Sequence, residues 1–387
     1  VVVRMGVEEE FHVIDAESGA LTPRADAVLG RLTRHRDEFT RELPRSVVES
    51  NSGVHASPDG LYADLSASRR LLDGAASSQG LAVMAAGTPP IARLGTVRAT
   101  DDPRYLAMAE DYRRVADEQL ICGAQVHVDV PDRDTAVRAL CFLNPWVPPL
   151  LALSASSPYW LGTDTGYASW RSMIWQRWPT SGPAGCFADA ADYDAAVDEL
   201  IGSGVISDAG MIYYDVRPSG HLSTLELRVC DACPRVETVV LVAVLFRALV
   251  VDACARVEAA GGERCADRHE WLRAATWRAA RSGLEGDLID PATRRPAPAP
   301  EVVRALLRHL RPTLEAYGDW ETARSLAEEA LARGSAAHRL RRAASDADLL
   351  AAVDLFLAET RGEDWGGRKR AGAAPATSRF RARGVAA

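Results

Sequence analysis

Near the start of the chain, Val7-Glu8-Glu9-Glu10-Phe11-His12-Val13 constrains the fold more than any other stretch. Successive side chains of a β-strand point to opposite faces. As a strand, this segment puts Glu8, Glu10 and His12 on one face and Val7, Phe11 and Val13 on the other, with Glu9 out of phase. Other stretches repeat the pattern. Thr224, Glu226, Arg228 and Cys230 alternate with Leu225, Leu227 and Val229, while Gln125, His127 and Asp129 share one face of their segment. Tyr213, Asp215 and Arg217 share another, Glu49 follows Val47-Val48, and Glu42 lies shortly before it. Buried parallel strands read as continuous apolar runs, so half-polar strands predict an antiparallel sheet with one polar face.

Such a face can simply be solvated. Acids repeated at two-residue spacing on several strands, with helices available to cover the sheet, favour a shared chamber instead. If Glu8, Glu10, Glu49 and Glu226 converge, each like-charge pair at about 4 Å costs on the order of 4 kcal/mol at an effective dielectric near 20. Divalent cations remove that cost. Carboxylate-rich, thiol-free coordination selects Mg²⁺, with Mn²⁺ as the alternative, above Zn²⁺. Magnesium usually bridges carboxylates to phosphates, which makes a nucleotide the expected partner. Arg228, on the strand of Glu226, offers a planar fork for developing phosphoryl charge.

Composition removes rival chemistries. Lys369 is the only lysine of 387 residues, and it stands in a Gly/Ala/Arg-rich tail. A P-loop or a pyridoxal Schiff base would need a lysine in the folded part. The net charge of −8 lacks the basic footprint of a nucleic-acid binder. Seven scattered cysteines do not resemble a disulfide scaffold, and Cys230-Asp-Ala-Cys233 has no second CxxC to complete a zinc site. A reducing cytoplasm is the expected compartment. No Gly-x-Ser-x-Gly elbow is present. The apolar run around Arg247 is too short for a membrane span and predicts a buried helix.

Strands are expected over Gly6–Asp15, Arg45–Asn51, Ala124–Val130, Met211–Arg217 and Thr224–Cys230. Helices are expected over Tyr62–Gln79, Pro103–Gln119, Arg133–Leu153 (broken near Pro145), Asp192–Ser203 and Val236–Ala260. Five more follow, over Glu270–Arg281, Ala299–Ala316, Trp320–Arg333, His338–Ala344 and Asp346–Thr360. The division is thus one domain over 1–361, sheet-bearing over 6–260 and helical over 261–361, with a basic tail at 362–387 expected to be disordered.

These stretches resemble the glutamate-cysteine ligase type 2, or carboxylate-amine ligase, family of the glutamine synthetase-like superfamily. The motifs are Gly6-Val7-Glu8-Glu9-Glu10-Phe11, Cys122 to Val128, Ser154 to Trp160, Asp164 to Ser169, Tyr214 to Ser219 and Glu226 to Asp231. They run in family order over roughly Gly6 to Arg342; Asp215-Val216-Arg217-Pro218-Ser219 with Glu226-x-Arg228 is the most specific part. The resemblance implies an α+β fold: a curved, mainly antiparallel sheet whose concave face holds Mg²⁺ and ATP, with helices outside. It implies Glu8, Glu10, Glu42, Glu49 and Glu226 as metal ligands and Arg228 on the γ-phosphate. Arg228, Glu49 and Arg217 are then the catalytic candidates, and Gln125, His127, Arg228 and Arg339 the nucleotide-binding ones. The implied reaction phosphorylates an amino-acid carboxylate and lets an amine displace phosphate to form an amide. Glutamate and cysteine are the default pair, and a homodimer is the implied assembly. Gln125 stands where many relatives carry histidine, and Asp129 where they carry glycine. The alternatives are a silent ATP- and amino-acid-binding relative, a phosphotransferase, and a ligase for another amino acid or peptide in secondary metabolism. Trp170, Arg171, Trp175, Arg177 and Trp178 are weighed as either a substrate wall or packing, and His338, Arg339, Arg341 and Arg342 as either a phosphate cover or a solvated helix face.

Overall fold

The computed structural model describes residues 2–35, 37–95, 99–259, 268–344 and 348–363. Cys265, Lys369 and the tail beyond 363 lie outside the described residues. The strands are β1 (Met5–Asp15), β2 (Phe39–Arg41), β3 (Val47–Asn51), β4 (Leu81–Met84), β5 (Ala124–Asp129), β6 (Tyr159–Trp160), β7 (Thr163–Asp164), β8 (Val216–Pro218), β9 (Thr224–Leu227), β10 (Asp287–Ile289) and β11 (Pro296–Pro298). Seven form the main sheet, in the order β2-β3-β1-β5-β9-β8, with β4 also paired to β1. Every pairing is antiparallel, as the half-polar strands require. β10–β11 and β6–β7 are separate two-stranded ladders.

The apolar face of the sheet (Val7, Val126, Val128, Leu225, Leu227) joins the core built around helix Val236–Ala259. That helix touches helices Pro58–Ser77, Arg133–Leu143, Ala299–Ala316 and Trp320–Arg333. A second cluster sets Phe11, Val13 and Val48 against Leu72 and Ala76 of helix Pro58–Ser77. A third sets Ile14 and Met84 against Leu340, Val353 and Phe356 of the last helices. The helices beyond 268 therefore share a core with the sheet.

Glu9, the out-of-phase residue, turns into the helical layer and is only 2% exposed. Arg69 meets it with both Nε (3.2 Å) and Nη2, and the same guanidinium caps the Cys233 carbonyl at 2.8 Å. Arg247 interrupts the long apolar helix at 1% exposure, paired with Asp319 and donating to the Ala56 carbonyl at 2.6 Å. Segments Arg133–Ser154 and Val236–Ala259 are long and apolar enough to cross a membrane, but 78% of each apolar window is buried inside the fold. They are core helices.

Several elements differ from the sequence reading. Helix Pro103–Gln119 is two pieces, Pro103–Tyr112 and Arg114–Asp117, because Arg113 adopts φ +50. The break at Pro145 is a 3₁₀ turn, Asn144–Trp146. Residues 211–215 are not strand; a 3₁₀ turn at Ala209–Met211 leads into β8. β9 ends at Leu227, short of Cys230. β2 and β4 were not expected. β2 is three residues long, and β4 is buried at every position and so shows no alternation.

Candidate active site

The polar face of the sheet gathers two acid clusters. Glu8 (β1), His127 (β5) and Glu226 (β9) bring one ligand atom each within 4.8 Å of one another, and Glu10 (β1), Glu42 and Glu49 (β3) do the same. Register explains this. His127 stands opposite Glu226, and Glu10 opposite Glu49, in antiparallel pairs. Glu8 and Glu10, two residues apart on the central strand, thus serve neighbouring clusters.

In the first cluster, Nδ1 of His127 lies 3.0 Å from Thr224 Oγ1, which leaves Nε2 3.1 Å from Glu8 Oε1 but off hydrogen-bond alignment. A histidine anchored through one nitrogen and offering the other is the arrangement of a metal ligand. Burial opposes protonation of His127, yet Glu8 and Glu226 raise its pKa above the ordinary value. Burial would likewise raise Glu226, but Arg228, Arg217 and His127 bring it down to about 2. Arg217 grips Glu226 through Nε at 2.8 Å and spends Nη1 on the carbonyls of Gly210 (3.0 Å) and Ile212 (2.7 Å). It positions Glu226 and has little fork left for a ligand.

Among the described residues no cation forms an ion pair with the second cluster. Burial first, then Glu49 and Glu10, raises Glu42 well above the usual carboxylate range. Burial pushes Glu10 up to about 7 against Arg171, with Glu49 adding to the rise. Burial and Glu8 raise Glu49. Glu49 accepts from Thr40 Oγ1 at 3.0 Å, and Glu10 from the Gly123 amide. Three half-buried acids aimed at one point are stable only when protonated or when a cation lies among them. The donors are all oxygen here and two oxygens with one imidazole next door, a set that fits Mg²⁺ or Mn²⁺.

Gln125 links the clusters. It donates Nε2 to Glu10 at 3.2 Å and accepts from Arg228 Nη1 at 2.6 Å, and that same Arg228 nitrogen pairs with Glu226. A cavity of about 150 Å³ adjoins the second cluster; Glu10, Glu42, Arg104, Tyr105, Arg171, Trp175, Trp178, Tyr213 and Arg228 are among its lining.

The structure thus brings together Glu8, Glu10, Glu42, Glu49, Gln125, His127, Arg217, Glu226 and Arg228. Arg339 is not with them. Its Nε and Nη2 hold Glu359 at 2.9 and 2.8 Å and its Nη1 the Gly334 carbonyl at 2.7 Å, so packing of the last two helices consumes the fork expected to meet phosphate. Arg341 ties the 164–167 loop down through Asp164 and the Tyr167 carbonyl. Asp129 turns out of the site toward Arg4. Asp215 is buried apart from both clusters, where desolvation lifts it to about 7 against Arg171 and a bond from Thr276. His12, on the acid face by alternation, is fully buried and held neutral, its pKa lowered to about 3 by burial. No cysteine joins a metal-competent group among the described residues, and burial pushes Cys230 up to about 12. Sequence reasoning missed the wall supplied by helix Pro103–Tyr112, through Arg104, Tyr105 and Met108, because that helix carries no motif.

A sequence profile of the family described as glutamate-cysteine ligase family 2 (GCS2) matches residues 4–368. The chain belongs to this family. Family members include a Frankia casuarinae protein named "Putative glutamate--cysteine ligase 2-2", 55% identical over 379 residues, which are 97% of this chain and 44% of that protein. A Mycolicibacterium smegmatis protein of the same name is 49% identical, over 92% of this chain and 89% of that one. The chain therefore spans less than half the length of the Frankia relative. Among solved structures, the fold matches a glutamate–cysteine ligase from Francisella tularensis in complex with AMP, with TM-score 0.71, 12% identity and coverage of 95% of this chain and 90% of that one. It also matches a bifunctional glutathione synthetase from Pasteurella multocida, with TM-score 0.67, 16% identity and coverage of 93% and 52%. At these identities the likeness is one of fold, and it agrees with the α+β, glutamine synthetase-like architecture expected from the motifs.

Proposed function

We propose that the chain is an ATP- and Mg²⁺-dependent carboxylate–amine ligase, with glutamate and cysteine, the pair in the family's description, as its first candidate substrates. One observation carries the reading: two acid clusters on adjacent strands, joined by the Glu10–Gln125–Arg228–Glu226 chain of contacts. Glu8, His127 and Glu226 would hold one cation and Glu10, Glu42 and Glu49 another. Bound there, the ions would supply neutralisation of the triphosphate charge.

The protein's own part is positioning and electrostatics, as phosphoryl transfer demands. A substrate carboxylate oxygen attacks the γ-phosphorus, and the bond to the ADP oxygen breaks. The amine nitrogen then attacks the acyl carbon, phosphate leaves, and the nitrogen loses a proton. Arg228, half-buried between Glu226 and Gln125 on the polar face of the sheet, is placed to hold the transferred phosphoryl oxygens. Arg217 keeps Glu226 ionised and fixed. Packing of the sheet and the helices beyond 268 into common clusters supports a single ligase unit up to about 361. Cys122, Cys230, Cys233 and Cys254 are free thiols, which supports a reducing cytoplasmic setting.

The test is ADP release with Mg²⁺ and a matrix of carboxylate and amine pairs, beginning with glutamate and cysteine. The reading expects ADP, phosphate and amide in equal amounts with at least one pair. ATP binding without ADP from any pair would refute it.

A further inference from the structure

Asp231 is fully buried, and donors from two other segments converge on its carboxylate. The Ser156 amide (2.9 Å) and Ser157 Oγ (2.7 Å) donate to Oδ2, and Ser169 Oγ (2.7 Å) donates to Oδ1. Burial raises the pKa of Asp231, and Arg171 together with these bonds opposes the rise. A Cβ on Gly87 would lie 2.6 Å from Oδ2, so bare backbone closes over the carboxylate on that side. Removing an acid held this way would orphan the buried donors that meet it. Asp231 belongs to neither acid cluster, so its place in the fold is not explained by a cation.

The bonds of Asp231 lead back to Arg228. Because β9 ends at Leu227, Arg228 stands just past the regular ladder and its backbone takes other partners. Its amide donates to the Asp215 carbonyl at 2.8 Å. Its carbonyl accepts Nη2 of Arg171 at 3.2 Å, and the Val229 carbonyl accepts Nη1 of the same guanidinium at 3.0 Å. Arg171 is in turn set by the serines that hold Asp231. Ser157 Oγ accepts the Arg171 amide at 3.0 Å, and Ser169 Oγ caps helix Trp170–Trp175 by accepting the Ser172 amide at 3.3 Å. A Cβ on Gly123 would lie 2.4 Å from Arg171 Nη2, so glycine leaves the guanidinium its room there. The circuit thus runs from Asp231 through Ser157 and Ser169 to Arg171 and returns to the backbone of Arg228, whose side chain meets Gln125 and Glu226.

We infer that Asp231 is a positioning residue: acting through Ser157, Ser169 and Arg171, it fixes the backbone from which Arg228 meets the transferred phosphoryl group. This deepens the ligase reading and rests on it for the reaction. Phosphoryl transfer leaves the protein little to do besides placing charge, and a misplacement of about 1 Å costs on the order of 100-fold in rate. A buried carboxylate that ties three segments together supplies that placement without touching the reacting atoms.

The test is a double-mutant cycle on the full chain in Mg²⁺, with Asp231→Asn, Arg228→Met and the double variant beside the wild type. It is read as kcat with an active substrate pair and by calorimetric titration with ADP and with AMP-PNP, a non-hydrolysable ATP analogue. Asparagine keeps the shape of Asp231 but accepts at one oxygen only, which leaves a buried donor unpaired. Asp231→Asn should lower kcat about 10–100-fold and weaken AMP-PNP about fivefold, with ADP, which lacks the γ-phosphoryl group, changed about twofold or less. In the Arg228→Met background the same change should cost kcat and AMP-PNP affinity about twofold or less, because its effect passes through the side chain already lost. Ser169→Ala removes one of the donors and should show the same pattern with kcat lowered about 3–10-fold, which serves where Asp231→Asn fails to fold. Wild-type kcat in folded Asp231→Asn, ADP weakened as much as AMP-PNP, or full additivity with Arg228→Met would each overturn the assignment. No ADP release by the wild type from any substrate pair would sink the ligase reading instead, and the comparison of AMP-PNP with ADP would still judge Asp231.

Discussion

Removing one acid from the second cluster should stabilise the metal-free protein and weaken the metal-loaded one. Glu42 faces Glu10 and Glu49, with ligand oxygens within 4.8 Å. At that separation and an effective dielectric near 20, each ionised pair costs about 3.5 kcal/mol. The acids escape part of this by protonation, and Glu10 is raised to about 7. A carboxyl whose folded pKa lies above its unfolded value keeps its proton longer in the folded state, so its contribution is complete below about 4.5 and is lost as pH rises through about 7. For Glu10 that loss amounts to about 3 kcal/mol. Glu42→Gln is therefore expected to raise the urea-unfolding free energy in EDTA at pH 8 by about 2–4 kcal/mol, and to do nothing at pH 4.5, where the wild-type cluster is protonated. In Mg²⁺ the order reverses, because the variant has lost a ligand. A Glu42→Gln protein no more stable than wild type in EDTA at pH 8, or one stabilised by Mg²⁺ to the wild-type extent, would show that the three carboxylates do not share a site.

Arg69→Met leaves Glu9 buried and unpaired, so it should destabilise the fold by about 3–5 kcal/mol in urea unfolding, and a second change, Glu9→Leu, should restore most of it. Gln125→Ala cuts the link between Glu10 and Arg228; turnover should fall roughly 10–100-fold and stability by about 1–3 kcal/mol, since Gln125 is buried and both its partners are charged, read as kcat against unfolding free energy. Arg339→Met should lower stability by about 2–4 kcal/mol through the unpaired Glu359 while leaving the KM for ATP unchanged. A raised KM with intact stability would return Arg339 to the nucleotide.

Legibility in the sequence followed period. Where a strand buries one face only, as β1, β5 and β9 do, two-residue alternation marked both the element and the side of each acid. β4 escaped because both its faces are buried, and β2 because three residues cannot show a period. Glu9 looked like a fault in the pattern, since its partner Arg69 lies 60 residues away on a helix. Helices Ala299–Ala316 and Trp320–Arg333 were readable to the residue, with proline before the first and an apolar stripe along each. At the site, Glu8, Glu10, Glu49 and Glu226 were legible because acid-faced strands single out their convergence, whereas Glu42 came only from the family resemblance. Arg339 was misplaced because a basic helix end reads the same whether it faces phosphate or a buried Glu359. Arg171 was seen only as one member of an Arg/Trp-rich segment; its contacts with the Val229 and Arg228 carbonyls exist only in three dimensions.

The most direct test of the two-cluster account is anomalous diffraction from crystals of the protein grown with Mn²⁺ and ADP. Two manganese peaks are expected, one among Glu8, His127 and Glu226 and one among Glu10, Glu42 and Glu49, with the diphosphate against them. Nucleotide density elsewhere on the molecule, or no manganese at either cluster, would contradict it.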